Sequence, residues 1–71
     1  MYMLELNRIK DILREQGRSG SWLSRQIEKD PATVSRWCSN KQQPSIETLY
    51  KIALVLDIDI KELLNASKKY E

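Results

Sequence analysis

The chain has 71 residues, of which 41% are apolar and 31% are charged, and its formal net charge is +2. This length allows one domain with a small core, and the composition is typical of a folded globular protein rather than a disordered one. A single cysteine, Cys38, and the lack of histidine exclude an intramolecular disulfide and a Cys/His zinc site, and we expect no metal and no cofactor.

Membrane insertion and export are not expected. No apolar run approaches the roughly 20 residues of a membrane span. The start of the sequence, MYMLELNRIK, lacks the apolar stretch and cleavage site of a signal peptide. A lone cysteine also suits a reducing compartment. The sequence therefore predicts a cytoplasmic protein with no membrane partner.

Two helices are predicted in the first part of the chain. Apolar residues recur at the spacing of one helical face at Leu6, Ile9, Ile12 and Leu13. They predict a first helix over about residues 4–16, with Gly17 as its stop. Ser19 or Ser21 is the expected cap of a short second helix that ends near Glu28.

The third helix has clear start and stop signals. Asp30 offers an N-cap oxygen, and Pro31 suits the first turn because its fixed φ is already helical. Asn40 tolerates the left-handed conformation and ends the helix before the loop KQQP. The residues expected on the inner face are Val34, Trp37 and Cys38. The outer face then carries Ala32, Thr33, Ser35 and Arg36.

Two further helices and a tail are predicted in the last part of the chain. Ser45 is the expected cap of a fourth helix. The apolar stripe of that helix is Ile46, Leu49, Ile52, Ala53 and Leu56. Asp59 and Glu62 match a capping box for a fifth helix. The prediction is an all-α, compact five-helix bundle over residues 1–66, followed by a polar C-terminal tail at 67–71.

The short junction between the second and third helices suggests a function. A connection of three or four residues forces two helices to cross steeply and lets one project. A projecting helix fits the major groove of B-DNA when its first residues are small and can reach base edges. Arg36 can bind guanine through two hydrogen bonds, and Thr33 can reach a base or a phosphate. Pro31 and Ala32 can touch a thymine methyl. From these residues alone, base reading and an ordinary solvated face remain alternatives.

Hydrogen-bond donors flank the third helix on both sides. The start of the second helix offers free amides to an anion, and the following loop is rich in donors. The candidate phosphate-binding residues are Ser19, Gly20, Ser21, Ser35, Asn40, Lys41, Gln42 and Gln43. Each could also be an ordinary surface residue. Residues 18–43 carry five basic and two acidic side chains, a local +3, whereas residues 47–62 carry two basic and four acidic ones, a local −2. This asymmetry supports a polyanion partner when joined to the other evidence.

Several segments together resemble the helix-turn-helix domain of the phage-repressor and Cro type, a lambda-repressor-like DNA-binding domain. The segments are TVSRW at 33–37, NK and PS within 40–45, ETLYKIALVL at 47–56 and the closing DIKELL. The resemblance covers residues 4 to about 66 and implies that residues 31–38 form the recognition helix. The base-reading positions that it implies are Pro31, Ala32, Thr33 and Arg36. Lys41 and Gly20, with their neighbours, would hold phosphates.

The chain departs from the common pattern of that family at several positions. Gly20 stands where glutamine commonly opens the second helix, so only a backbone amide is left for a phosphate there. Glu28 stands where the turn commonly has glycine, so the turn either accepts a left-handed residue at about 1 kcal/mol or changes shape. Arg18 replaces a usual apolar residue, and Cys38 a usual acidic one. Trp22 falls on the outer side of its helix and is either partly covered by the first helix or part of a partner surface.

The resemblance implies a sequence-specific DNA-binding transcriptional regulator, repressor-like and bacterial or phage in origin, that inserts residues 31–38 into an inverted-repeat operator. The expected partner is double-stranded DNA. A homodimer is expected because one recognition helix buries too little surface to discriminate well. The candidate dimer contacts are Ile58, Ile60, Leu64 and Tyr70, although all of them could be core.

Two other classes of function were weighed against DNA binding. A protein-interaction module, such as an antitoxin or a helical adaptor, would bind a protein partner through Trp22, Cys38 and the acidic last helices. An enzyme is not expected, because the chain has no histidine, no convergent carboxylates and no group to activate Cys38.

Overall fold

The computed structural model describes residues 5–65, which contain four α-helices and one 3₁₀ helix. The α-helices are α1 (Ile9–Glu15), α2 (Gly20–Ile27), α3 (Pro31–Cys38) and α4 (Ile46–Leu56), and the 3₁₀ helix is Ile60–Leu63. The all-α prediction is confirmed for these residues. The predicted tail at 67–71, with Tyr70, lies outside them. No helix in the described segment is long and apolar enough to cross a membrane.

The helix starts follow the sequence signals closely. Ser19, rather than Ser21, caps α2, since its Oγ accepts a hydrogen bond from the Trp22 amide at 3.0 Å. Ser45 caps α4 in the same way, through the Thr48 amide. Asp30 takes the N-cap position of α3, but its side chain makes no capping hydrogen bond. The helix starts there because proline occupies its first turn and the residue before it is extended.

The turn between α2 and α3 keeps its shape without glycine. Glu28 adopts the left-handed conformation, with φ of 56°, and follows the last residue of α2. The Lys29 amide then donates to the Ser24 carbonyl oxygen at 2.9 Å, which closes the end of the helix. The tight turn therefore costs about 1 kcal/mol of left-handed strain at Glu28. Asn40 ends the α3 region in the same conformation, with φ of 60°.

The first helix begins later than predicted. Residues 5–8 precede α1 and are held by hydrogen bonds to distant parts of the chain. Asn7 is buried, and its Nδ2 donates to the Trp37 carbonyl oxygen at 2.9 Å and to Gln43 Oε1 at 2.7 Å. Leu6, predicted on the inner face of a helix, lies outside α1 and is exposed. These long-range bonds take the place of an additional helical turn.

The predicted fifth helix is a single 3₁₀ helix. The capping box at its start is confirmed, with the Asp59 amide donating to Glu62 Oε2 at 3.3 Å. The backbone then becomes extended at Leu64, which forms an isolated antiparallel bridge with Asn7. The Arg8 amide donates to the Leu63 carbonyl oxygen at 2.7 Å beside it. Pairing with the segment before α1 therefore ends the element after four residues.

One core lies between the helices. Within residues 5–65 its buried apolar residues are Ile9, Ile12, Leu13, Leu23, Val34, Trp37, Leu49, Ile52, Ala53, Leu56 and Leu63. Ile46, predicted as part of this core, is instead 59% exposed. It is the first residue of α4 and points away from the inner stripe formed by Leu49, Ile52 and Leu56. Cys38, predicted on the inner face of α3, is half-buried.

Candidate nucleic-acid interface

The outer face of α3 is open to solvent. Trp37 and Val34 point into the core, whereas Arg36 on the other side of the helix is exposed. Of the remaining outer residues, Pro31, Ala32 and Ser35 are exposed and Thr33 is half-buried. The first turn of α3 carries only small side chains, so another molecule can approach its backbone closely.

Arg36 is held in a defined position along this face. Its Nε donates to Gln42 Oε1 at 2.9 Å, and its Nη2 donates to Thr33 Oγ1 at 3.2 Å. These bonds use two of the five N–H donors of a guanidinium group. The free edge can still bind a planar acceptor pair through two parallel hydrogen bonds. The loop and the first turn of α3 thus position the one long basic side chain of the exposed face.

The loop after α3 folds back onto the end of that helix. The amides of Lys41 and Gln42 both donate to the Arg36 carbonyl oxygen, at 3.0 and 3.3 Å. Ser39 Oγ donates to the carbonyl oxygens of Ser35 and Arg36. The backbone of the exposed Lys41 is therefore held on a short, bonded loop at the end of α3.

Asn40 and Gln43, predicted to bind phosphate, use their side chains inside the protein. Asn40 Oδ1 accepts from the amides of Leu6 and Asn7, at 2.9 and 3.0 Å, and from Gln43 Nε2 at 3.1 Å. Asn40 Nδ2 donates to the Asn7 carbonyl oxygen. These bonds give both amide side chains a part in holding residues 6 and 7, and each NH2 group keeps a second N–H that the bonds do not use.

The start of α2 presents backbone donors on the other flank of α3. The amides of Gly20 and Ser21 lie in the first helical turn, where no carbonyl oxygen of the same helix reaches them. Ser19 Oγ is engaged by the Trp22 amide, so it serves the helix cap. An ideal Cβ on Gly20 would lie 3.8 Å from Val34 Cγ1, an ordinary contact distance. The glycine is therefore not required by packing and leaves the helix start uncovered.

An open groove of about 610 Å³ joins this helix start to α3 and α1. Its lining residues are Lys10, Leu13, Arg14, Arg18, Gly20, Ser21, Pro31, Ser35, Cys38 and Ser39. Three cations and five of the small residues named above therefore share one surface. Lys10 and Arg14 were missed by the sequence interpretation, because only the packing of α1 beside α3 brings them there. Their recurrence four residues apart on the polar face of the first helix is the signal that was available.

Trp22 is covered by the chain itself. The guanidinium carbon of Arg18 lies 4.1 Å from the centroid of the Trp22 ring, a cation–π contact. The partly buried ring also packs against the core. Arg18, at a position where the family pattern commonly has an apolar residue, thus packs its guanidinium group over the Trp22 ring.

A family model described as helix-turn-helix matches residues 9–63. The chain belongs to this helix-turn-helix family, of the Cro/C1 type. The matched residues include α2, the tight turn at Glu28 and α3. No match was found among curated protein sequences.

Three solved structures resemble this helix-turn-helix domain. A candidate DNA-binding protein from Bacteroides fragilis is 50% identical, with 84% of this chain and 97% of that chain covered and a TM-score of 0.83. SinR, the master regulator for biofilm formation, in complex with DNA is 36% identical, covering 82% and 94% of the two chains at a TM-score of 0.72. The N-terminal DNA-binding domain of SinR from Bacillus subtilis is 33% identical, with 87% of this chain and 91% of that chain covered and a TM-score of 0.72.

Cys38 lies in the groove of the helix-turn-helix domain and is half-buried. Burial raises the pKa of its thiol, and the Lys10 ammonium acts in the opposite direction. The thiol is therefore neutral near pH 7, as a weak polar group rather than a nucleophile. No group of acidic, cysteine or histidine side chains within the described residues could hold a metal ion.

The predicted dimer contacts of the helix-turn-helix domain differ in their exposure. Ile58 and Ile60 are half-buried and pack against the core. Leu64 is 40% exposed, and Tyr70 lies outside the described residues. Two of the four residues thus have a structural role that is sufficient to explain them.

Proposed function

We propose that the chain is a DNA-binding transcriptional regulator that inserts α3 into the major groove of double-stranded DNA. The observation that carries the proposal is Arg36, exposed on the outer face of α3 and fixed there by Thr33 and Gln42. Membership of the helix-turn-helix family and similarity to a regulator crystallised with DNA support it.

Base reading is assigned to the exposed side of α3. Arg36 donates to N7 and O6 of guanine, the commonest specific contact in the major groove. Thr33 contacts a base or a neighbouring phosphate while holding Arg36. Pro31 and Ala32 lie against a thymine methyl, since both are apolar, exposed and small. The amino end of α3 thus reads sequence, and Arg36 reads one turn further along.

Phosphate binding is assigned to the two flanks of α3. On one side Lys41 supplies a charge and Gln42 a side-chain amide. On the other side the amides of Gly20 and Ser21 face the strand, with the hydroxyl groups of Ser19 and Ser35 nearby. Lys10 and Arg14 extend this second flank along the groove. Such contacts fix the register of the protein on the duplex and depend strongly on salt.

We further propose how copies of the chain assemble on DNA. A homodimer binds the two halves of an inverted-repeat operator in a repressor-like manner, in the cytoplasm. Two recognition helices about one duplex turn apart supply the selectivity that one lacks. Residues 1–66 form the DNA-binding domain, and residues 67–71 are a polar tail.

A selection experiment tests this function. The protein is mixed with a pool of random duplexes at low and at physiological salt, and the bound fraction is sequenced. We expect one shared motif to be enriched and the affinity to fall steeply as salt rises, because phosphate contacts release counterions. Recovery of the pool unchanged, with binding indifferent to salt, would refute the proposal.

A further inference from the structure

The outer face of α4 carries a line of large apolar side chains. Ile46, Tyr50 and Leu54 are spaced four residues apart, so they lie along one side of the helix. They are 59%, 57% and 79% exposed. An adjoining side of α4 already forms the core through Leu49 and Ile52. This line, the α4 stripe, is therefore a second apolar face, and exposed apolar patches commonly mark binding surfaces.

Two opposite charges border the α4 stripe on the same side. Glu47 and Lys51 are both exposed and lie four residues apart. Within residues 5–65 the ion pairs join Arg8 to Asp11 and Glu15, so neither border residue is paired inside the described chain. A surface with one acidic and one basic residue beside an apolar line is complementary to a second copy of itself in antiparallel orientation.

We propose that the α4 stripe is the interface at which two copies of this chain dimerise. Antiparallel pairing centred on Tyr50 sets Ile46 against Leu54 of the second copy, at both ends. At a rise of 1.5 Å per residue, Glu47 then lies only about 3 Å along the axis from Lys51 of the second copy. A two-fold interface requires one patch to complement itself, and this pattern does so in the order of its apolar residues and in charge.

Two arguments favour a second copy of the chain as the partner of the α4 stripe. Glu47 and Lys51, which border the stripe, pair with Lys51 and Glu47 of a second copy across a two-fold axis. Binding a different partner would not require such self-complementary charges. The proposed function also needs a second recognition helix, and to this extent the inference rests on it. We propose the α4 stripe as the interface in place of Ile58 and Ile60, because those two residues pack against the core.

Sedimentation equilibrium of the full chain without DNA tests the interface. We expect a concentration-dependent dimer for the wild type and a monomer for Leu54→Glu. Leu6→Glu is the matched control, because it places the same charge on a leucine exposed outside the stripe, and it should remain dimeric. Circular dichroism melting of each variant checks that it is folded. A monomeric wild type, or a folded Leu54→Glu that still dimerises, would overturn the inference.

Charge reversal tests the antiparallel register. Glu47→Lys and Lys51→Glu should each weaken dimerisation about tenfold, since each puts like charges together at both ends. The double variant should restore the wild-type constant, and a double variant weaker than either single one would exclude this register. Binding to a single half-site is measured in parallel on Leu54→Glu. Retained half-site binding with lost dimerisation supports both proposals, whereas a dimer that selects no DNA sequence contradicts the function alone.

Discussion

Arg36 and Gln42 are joined by a hydrogen bond of 2.9 Å from the guanidinium Nε to the side-chain oxygen, which links α3 to the loop that follows it. A long side chain that is already oriented loses less conformational freedom when it binds. Under the proposed function, the bond gives the loop a part in sequence reading, apart from any phosphate contact of its own.

Replacing Gln42 by alanine should weaken binding to the preferred sequence by about twofold to tenfold, the usual worth of one hydrogen bond. Binding to unrelated duplexes should change much less, because they do not use the oriented arginine. Fluorescence anisotropy on both kinds of duplex measures this ratio. Gln26→Ala, an exposed glutamine on α2, is the control. An equal loss on both duplexes would show that Gln42 contacts phosphate only.

Replacing Lys41 by glutamine should weaken binding to all duplexes alike. We propose that its charge neutralises one phosphate beside α3, so the slope of log affinity against log salt should fall by about one. The measurement is a salt titration of affinity on a preferred and an unrelated duplex. Lys61→Gln, an exposed lysine of the 3₁₀ helix, should leave the slope unchanged. A loss confined to the preferred duplex would contradict the assignment of Lys41.

Replacing Asn7 by alanine should lower the free energy of unfolding by about 2–4 kcal/mol. The change leaves the Trp37 carbonyl oxygen and the Ile9 amide without their side-chain partner in a buried place. Urea unfolding gives the free energy, with the slope m expected to stay constant. Asn65→Ala, at a half-buried position, should cost clearly less. Equal losses would mean that Asn7 does not organise the end of α3.

Much of this fold could be predicted from local signals in the sequence. Pro31, Ser45 and the Asp59–Glu62 capping box act on their own helix ends, so each gives the correct start without any tertiary information. The start of α1 could not be found in this way. It depends on Asn7, which bonds to groups 30 or more residues away.

The residues of the candidate site likewise fall into those predictable from local sequence and those fixed by long-range contacts. The exposed face of α3 follows from the periodicity of one helix, and the structure places Arg36 on it. The contacts that Asn40 and Gln43 make with residues 6 and 7 could not be predicted from the loop sequence, and phosphate binding by these two residues stays a prediction. Lys10 and Arg14 join the groove only through helix packing. Long-range contacts thus decide which polar residues face outward.

Cys38 should react slowly with iodoacetamide in the folded protein, because burial raises the pKa of its thiol. Well below the ordinary thiol pKa of about 8.5, both states keep the proton and Cys38 gives no pH dependence. As pH rises past that value the unfolded chain loses its proton first, so stability falls until pH exceeds the folded pKa. Stability of the wild type minus that of Cys38→Ala, followed against pH, measures the effect. A difference that rises with pH, or equal alkylation rates in native and urea-unfolded protein, would contradict it.

The insertion of α3 into the major groove is tested most directly by base analogues in the selected duplex. Each guanine is replaced in turn by 7-deazaguanine, which removes the N7 acceptor, and affinity is measured for the wild type and for Arg36→Ala. We expect the analogue at one position in each half-site to weaken binding by the wild type, by up to about 1–3 kcal/mol for the complete arginine contact. Binding by Arg36→Ala should not change at that position. If every analogue has the same effect on both proteins, Arg36 does not read guanine in the groove.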